Sequence, residues 1–241
     1  MAITRTVVAA SQSKTAQAFW SALCGVAVCA GETLIVGIAY DLNSTLTASF
    51  GTLELTKAAS VVNTAGVELT LWHLLSTVSL SSAIYFSWTA NVTAKAMFAI
   101  RVCGVNTLDV IRTTTSNAVG TISSGSTAAT PVSDMFLQAL VGEEGANSAN
   151  AVSWLQDITN SGLVQATSGG GAATNITIHE GWNIQTTTGT RSAKLSSFTA
   201  ADCAIVFATY KFVSAAVVTT VFRTTFSPVG SGAGKRQMIR S

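Results

Sequence analysis

Along much of the chain, hydrophobic residues recur at every second position, the period of a strand half-buried in a sheet. The clearest case runs from Ser82 to Val102. Ile84, Phe86 and Trp88 share one side of an extended run. Phe98, Ile100 and Val102 share one side of the next, with Lys95 and Arg101 on the other. The short polar connector Thr89-Ala90-Asn91-Val92-Thr93 predicts that the two runs pair as an antiparallel hairpin, one face of which needs a partner sheet. The rest of the chain offers strands for it. Leu34, Val36, Ile38 and Tyr40 alternate within 33–40, Val67, Leu69 and Leu71 within 67–73, and 45–55 has moderate β propensity. Further runs lie at 132–141, 175–184, 191–197, 203–213 and 216–226. Asn63-Thr64-Ala65-Gly66 and Ser168-Gly169-Gly170-Gly171 read as turns. Residues 106–131 read as a polar crossing with little core, and 142–172 as loop-rich.

The second half echoes the first. Setting Trp72 on Trp182 also sets Thr77 on Thr187, Ser82-Ala83 on Ser192-Ala193, and Ser87 on Ser197. After a small gap, the run 96–100 meets 204–208, and upstream 34–38 resembles 136–140. Two arrangements fit: one sandwich whose two sheets carry corresponding strands, or two small sandwiches in tandem. With four or five good strands per half, the first is favoured. The expected fold is all-β, an antiparallel jelly-roll-like β-sandwich over 15–227 with pseudo-repeated halves of about 15–105 and 132–213. An N-terminal arm (1–14), in which Ile3, Val7 and Val8 would add a strand at a sheet edge while Arg5 and Lys14 stay in water, and a basic C-terminal arm (228–241) flank it as extended termini. Facing sheets would bury Ile84, Phe86, Trp88, Phe98 and Ile100 against Leu137, Ile205 and Phe207.

Composition changes the picture of the surface. Charged residues are 10% of the 241, against about 25% in an ordinary soluble domain. A surface so poor in charge suits a protein that buries much of itself against copies or a scaffold. The net charge of +2 is too small to imply nucleic acid. No membrane span is expected: the most apolar stretch, 24–40, is broken by Gly25, Gly31, Glu32 and Gly37, and a bilayer helix needs about 20 apolar residues. The N-terminus lacks a signal-peptide core, so a chain made and kept in a cytoplasm before any assembly is expected. Cys24 and Cys29 would face opposite sides of one strand, which argues against a local bridge or metal pair, and Cys103 and Cys203 read as buried thiols.

No catalytic set emerges, and no metal or cofactor is expected. His73 and His179 are the only histidines and read as surface or interface residues; Glu180, next to His179, would face the other way. No Gly-x-Ser-x-Gly elbow is present. Glu143-Glu144 reads as a solvated turn, the alternative being a Ca²⁺ site shared with Asp134 or Asp157. Trp72 and Trp182 fall opposite the Val67/Leu69/Leu71 face. Packing in the core or between subunits is favoured for them, and stacking on a glycan is the alternative. The tail from Gly230 combines flexibility with Lys235, Arg236, Met238, Ile239 and Arg240. Together with Arg5 in the N-terminal arm, these are the candidate partner-binding residues: the cations for an acidic surface, Ile239 for a pocket or sheet edge.

Several phrases resemble a β-sandwich module of tailed-bacteriophage structural proteins. They are Gly31-Glu32-Thr33-Leu34-Ile35-Val36-Gly37-Ile38-Ala39-Tyr40-Asp41, the Trp-bearing strand at 67–73, Phe86-Ser87-Trp88, and the closing strand from Asp202 to Lys211. The resemblance covers roughly 15–213 and carries no catalytic residues. It implies a non-enzymatic place in the virion, foremost a capsid decoration or cement protein. Such a protein would bind the major capsid protein and copies of itself, as trimers, and would stabilise the shell. The alternative it implies is a tail-fibre or baseplate module that recognises host glycans.

Overall fold

The computed structural model describes residues 2–41, 44–64, 66–118, 120–129, 134–145, 152–167, 175–198 and 202–213. Among them every regular element is a strand, and no helix is long and apolar enough to cross a membrane. The first half carries β1 (Thr4–Ser13), β2 (Gln17–Leu23), β3 (Thr33–Asp41), β4 (Leu46–Phe50), β5 (Leu53–Glu54), β6 (Thr56–Asn63), β7 (Val67–Leu75), β8 (Ala83–Val92) and β9 (Lys95–Cys103). The second carries β10 (Thr107–Ser116), β11 (Gly120–Ser123), β12 (Met135–Glu144), β13 (Ser153–Gln156), β14 (Asn160–Ala166), β15 (Ile176–Gln185), β16 (Ala193–Phe198) and β17 (Asp202–Lys211).

Each half makes one central and one cover sheet. The central sheets run β1-β9-β3-β7-β6 and β10-β17-β12-β15-β14, strand for strand the same order. The cover sheets, β2-β8-β4-β5 and β11-β16-β13, also correspond. The all-β antiparallel sandwich is therefore present. It is built as four layers, cover, central, central, cover, with three separate apolar cores between them. Each half is a small sandwich, and corresponding sheets of the two halves face each other in the middle.

The layers follow from the sequence. A strand buried on both faces reads as a near-continuous apolar run, whereas a cover strand alternates. All of β3 from Thr33 to Tyr40 is buried, as are Met135–Glu143 of β12 and Cys203–Tyr210 of β17. In β8, by contrast, Ile84, Phe86 and Trp88 turn inward while Ser87 and Thr89 are exposed. This difference overturns the expected hairpin. β8 pairs with β2 and β4 in the cover sheet, and β9 with β1 and β3 in the central one, so the chain crosses layers at Thr93-Ala94. Lys95 fixes that corner and is fully buried, not on a wet face. Its ammonium donates to the carbonyls of Val92 (2.8 Å), Thr93 (3.3 Å) and Thr15 (2.7 Å) and lies near the rings of Trp88 and Trp20. The expected core is accordingly split. Phe98 and Ile100 pack with Phe136 and Leu140 in the middle, Ile84, Phe86 and Trp88 under the first cover sheet, and Leu137, Ile205 and Phe207 under the second.

With strand ends matched, Ile35 pairs with Ile100 and His73 just as Gln138 pairs with Ala208 and Trp182. The equivalent of Trp182 is thus His73, not Trp72, and the echo read from the sequence is one residue out in β7 and in β3. A slip of one residue sends a side chain to the other face of its sheet. Trp72 indeed packs toward the first cover sheet, and Trp182 toward the opposite half.

The two halves meet about an approximate two-fold axis. β1 lies by β14 as β10 lies by β6, and β9 by β15 as β17 by β7. Near the axis residues face their own equivalents, as at a symmetric dimer interface. A Cβ on Gly37 would stand 2.8 Å from Leu140, and one on Gly142 would stand 3.0 Å from the Cβ of Ala39.

Candidate functional site

The N-terminal segment adds an edge strand, as expected of Val7 and Val8, but its cation does not stay in water. The Arg5 side chain points into the seam between the halves and is 12% exposed. Its guanidinium grips Glu180 of β15 with two hydrogen bonds, Nε to Oε1 at 3.0 Å and Nη2 to Oε2, and lies 5.3 Å from the centre of the Trp182 ring. The Glu180 carboxylate also accepts from the backbone N–H of Leu163 (2.9 Å) and from Gln138 Nε2 (3.4 Å). Lys14 donates to Asn175 Oδ1 at 2.5 Å. On the opposite flank Asn63 donates to the carbonyls of Ser116 and Cys203. Arg5 thus joins the two halves and is not a cation presented to a partner. Lys235, Arg236, Met238, Ile239 and Arg240, like the expected strand at 216–226, lie outside the described residues.

Neither tryptophan offers a face to a sugar. Trp72 is buried at 4% exposure, donates from Nε1 to Thr70, and is capped by Lys57 at 4.9 Å from the ring centre. Lys57 and Trp72 line a cavity of about 540 Å³ between the first cover sheet and β6, but the lysine occupies the space above the ring. Trp182 is half-buried between Arg5 and Phe136, whose ring stacks on it at 6.2 Å.

Two titratable features went unseen in the sequence. His179 is fully buried, not at a surface, and its Nε2 stands 2.7 Å from Oε1 of the equally buried Glu143. As the strand period requires, Glu180 faces the other way, into the seam. Glu143-Glu144 closes β12 and is not a solvated turn. Among the described residues no group of three or more His, Cys, Asp or Glu side chains is placed to hold a metal ion, and the four cysteines are free thiols. Burial, with Asp41 and Asp202 nearby, raises the Glu144 carboxyl to about 7. The unfolded group ionises at about 4.3. Between those values the folded chain holds a proton that the unfolded chain has lost, so this group makes stability fall as pH rises from about 4.3 to about 7. Urea midpoints across that window are expected to fall in the parent and to be flatter in Glu144→Gln; identical slopes would contradict the assignment.

The flanks and outer faces are the surfaces left for partners. β1 and β14 are edge strands of the two central sheets and lie beside each other on one flank, as β6 and β10 do on the other. Neither β1 nor β14 contains proline, and the one charge in that pair, Arg5, is turned inward. On the outer face of the first cover sheet one rung across the strands is Phe19, Ser87, Thr47 and the next is Ser21, Tyr85, Ser49. The corresponding rungs of the second cover sheet are Thr121, Ser196, Ser153 and Ser123, Lys194, Leu155.

No protein-family model, curated protein or solved structure matches this chain. Its function is therefore argued from these surfaces. Isolated soluble sheets blunt their edges with charge, proline or bulges. The β1/β14 flank has a bulge between Val7 and Ala9 and an irregularity between Ser161 and Val164, but no outward charge. Sequence reasoning placed a strand at β1 but missed β14, whose Asn-Ser-Gly-Leu-Val-Gln-Ala run carries little apolar alternation.

Proposed function

We propose that the protein is a non-enzymatic structural component of a virus particle, a decoration or cement protein of a tailed-bacteriophage head. It contacts the major capsid protein and copies of itself through its sheet edges. The observation that carries this reading is the flank of β1 and β14, two adjacent edge strands with neither proline nor outward charge. Such edges extend readily by adding a strand from a neighbour. The low charge of the whole chain, 10%, supports the same reading, because a surface destined for contact loses little by lacking solvated ions.

Sedimentation of the full chain over a hundredfold concentration range tests the contact. Association that rises with concentration is expected, and it should weaken at least tenfold when exposed edge positions are charged (Ala10→Lys, Gln12→Lys, Ser161→Lys). A chain that stays monomeric throughout, or association indifferent to these changes, contradicts the edge reading. Antibody labelling of particles then separates a head position from a tail position.

A further inference from the structure

Among the described side chains, the first cover sheet carries on its outer face an aromatic pair that the second lacks. Phe19 is 56% exposed, and its ring stacks against Tyr85 with centres 5.9 Å apart and planes inclined by 26°. The two rings border a cavity of about 320 Å³ whose other polar walls are Thr47, Ser49, Ser87 and the carboxylate of Glu54. The internal duplication supplies the control. The positions equivalent to Phe19 and Tyr85 are Thr121 and Lys194, in a sheet with the same strand order and the same serine and threonine rungs. The fold therefore does not need aromatic rings there: the second half builds the same sheet with a threonine and a lysine in their place.

We infer that this face is a binding site for a neutral pyranose saccharide. Its two adjoining rings offer an apolar platform to the C–H face of a sugar, and Thr47, Ser49, Ser87 and Glu54 offer hydrogen-bond partners to the hydroxyls around its rim. The volume lies at the small end of ligand pockets, which run from about 300 to 1,000 Å³, and suits one or two sugar rings. Charge selects the class of ligand. Among the described residues Glu54 is the one acidic or basic side chain on the cavity wall, so an anionic sugar or phosphate finds no cation there. A protein partner would need a far larger contact, about 800 Å² from each side, than two rings in a field of hydroxyls provide. The site is independent of the edge contacts proposed above, since it lies on a different surface.

The test titrates the full chain with methyl glucosides, galactosides and mannosides, N-acetylglucosamine and their linear oligomers, followed by saturation-transfer NMR and calorimetry. Sialyllactose serves as the anionic control. Binding of at least one neutral saccharide is expected, with sialyllactose much weaker. The variants Phe19→Thr and Tyr85→Lys import the residues of the second half, which that half shows to be compatible with the sheet. Each is expected to weaken binding by about tenfold or more, and Glu54→Gln by several-fold, with circular dichroism and thermal midpoint retained. Three results would overturn the proposal. One is that no neutral saccharide binds at millimolar concentration. Another is that binding is unchanged in Phe19→Thr. The third is self-association that disappears in Phe19→Thr, which would assign the face to a second copy of the chain.

Discussion

Replacing Arg5 by methionine is expected to lower the unfolding free energy by about 3–5 kcal/mol, because it strands the Glu180 carboxylate in the seam between the halves. Glu180 is 1% exposed. Without the guanidinium it keeps only the Leu163 amide and the Gln138 side chain, too little to replace water around a full charge. The pair itself is not what the fold requires. In the duplicated architecture the positions equivalent to Arg5 and Glu180 are Leu108 and Leu71; Leu71 lies in the central apolar core and the partly buried Leu108 packs against it. The double variant Arg5→Leu/Glu180→Leu is therefore expected to recover most of the loss, as buried ion pairs replaced by apolar pairs often do. Urea unfolding of parent, single and double variants measures all three. A single-variant cost below about 1 kcal/mol, in the range of an exposed pair, would contradict a buried seam.

The second large effect is expected from Phe98→Ala, again about 3–5 kcal/mol. Phe98 is fully buried in the core that both halves share. Its ring fills the space left by Gly37 on the neighbouring strand: a Cβ there would stand 2.9 Å from the Phe98 ring and 2.8 Å from Leu140 of the other half. Truncation leaves a cavity walled by rigid central strands from both halves, which have little freedom to close it. Against a typical total of about 5–15 kcal/mol, such a loss leaves a marginal protein. Phe19→Thr, on the outer face, serves as the contrast and should cost little. Similar midpoints for Phe98→Ala and the parent would mean that the two central sheets do not pack as described.

Much of this architecture was legible before the structure, and the parts that were not fail for identifiable reasons. Strands with strong apolar content, such as β3, β7, β15 and β17, stand close to where the alternation placed them. β10, β11 and β14 were read as crossing or loop because edge and short cover strands need few apolar residues; Thr113, Thr114 and Thr115 of β10 are exposed. The duplication was readable, but its register was not. Tryptophan identity aligned Trp72 with Trp182, whereas backbone pairing aligns Trp182 with His73 and makes Gly181 the equivalent of Trp72. The absence of a side chain at Gly181 is what admits Trp154 from the second cover sheet, so that tryptophan fills by another route the layer that Trp72 fills in the first half. Lys95 and Arg5 misled because a cation in a strand reads as a wet face. The signal that corrects this is the run Ala94-Lys95-Ala96-Met97-Phe98-Ala99-Ile100, apolar on both faces around the lysine, which marks a strand inside two layers. The buried Glu143–His179 pair had no comparable signal, since the two residues are distant in sequence.

The contact proposed for the β1/β14 flank depends on the two halves forming one body around a common middle core. Hydrogen exchange of the full chain, resolved by peptide, tests this most directly. The slowest amides of β3 and β9 are expected to exchange with the same free energy as those of β12 and β17, and Arg5→Met should lower both sets equally. If the variant weakens protection in one half and leaves the other unchanged, the halves unfold separately and the shared core is contradicted.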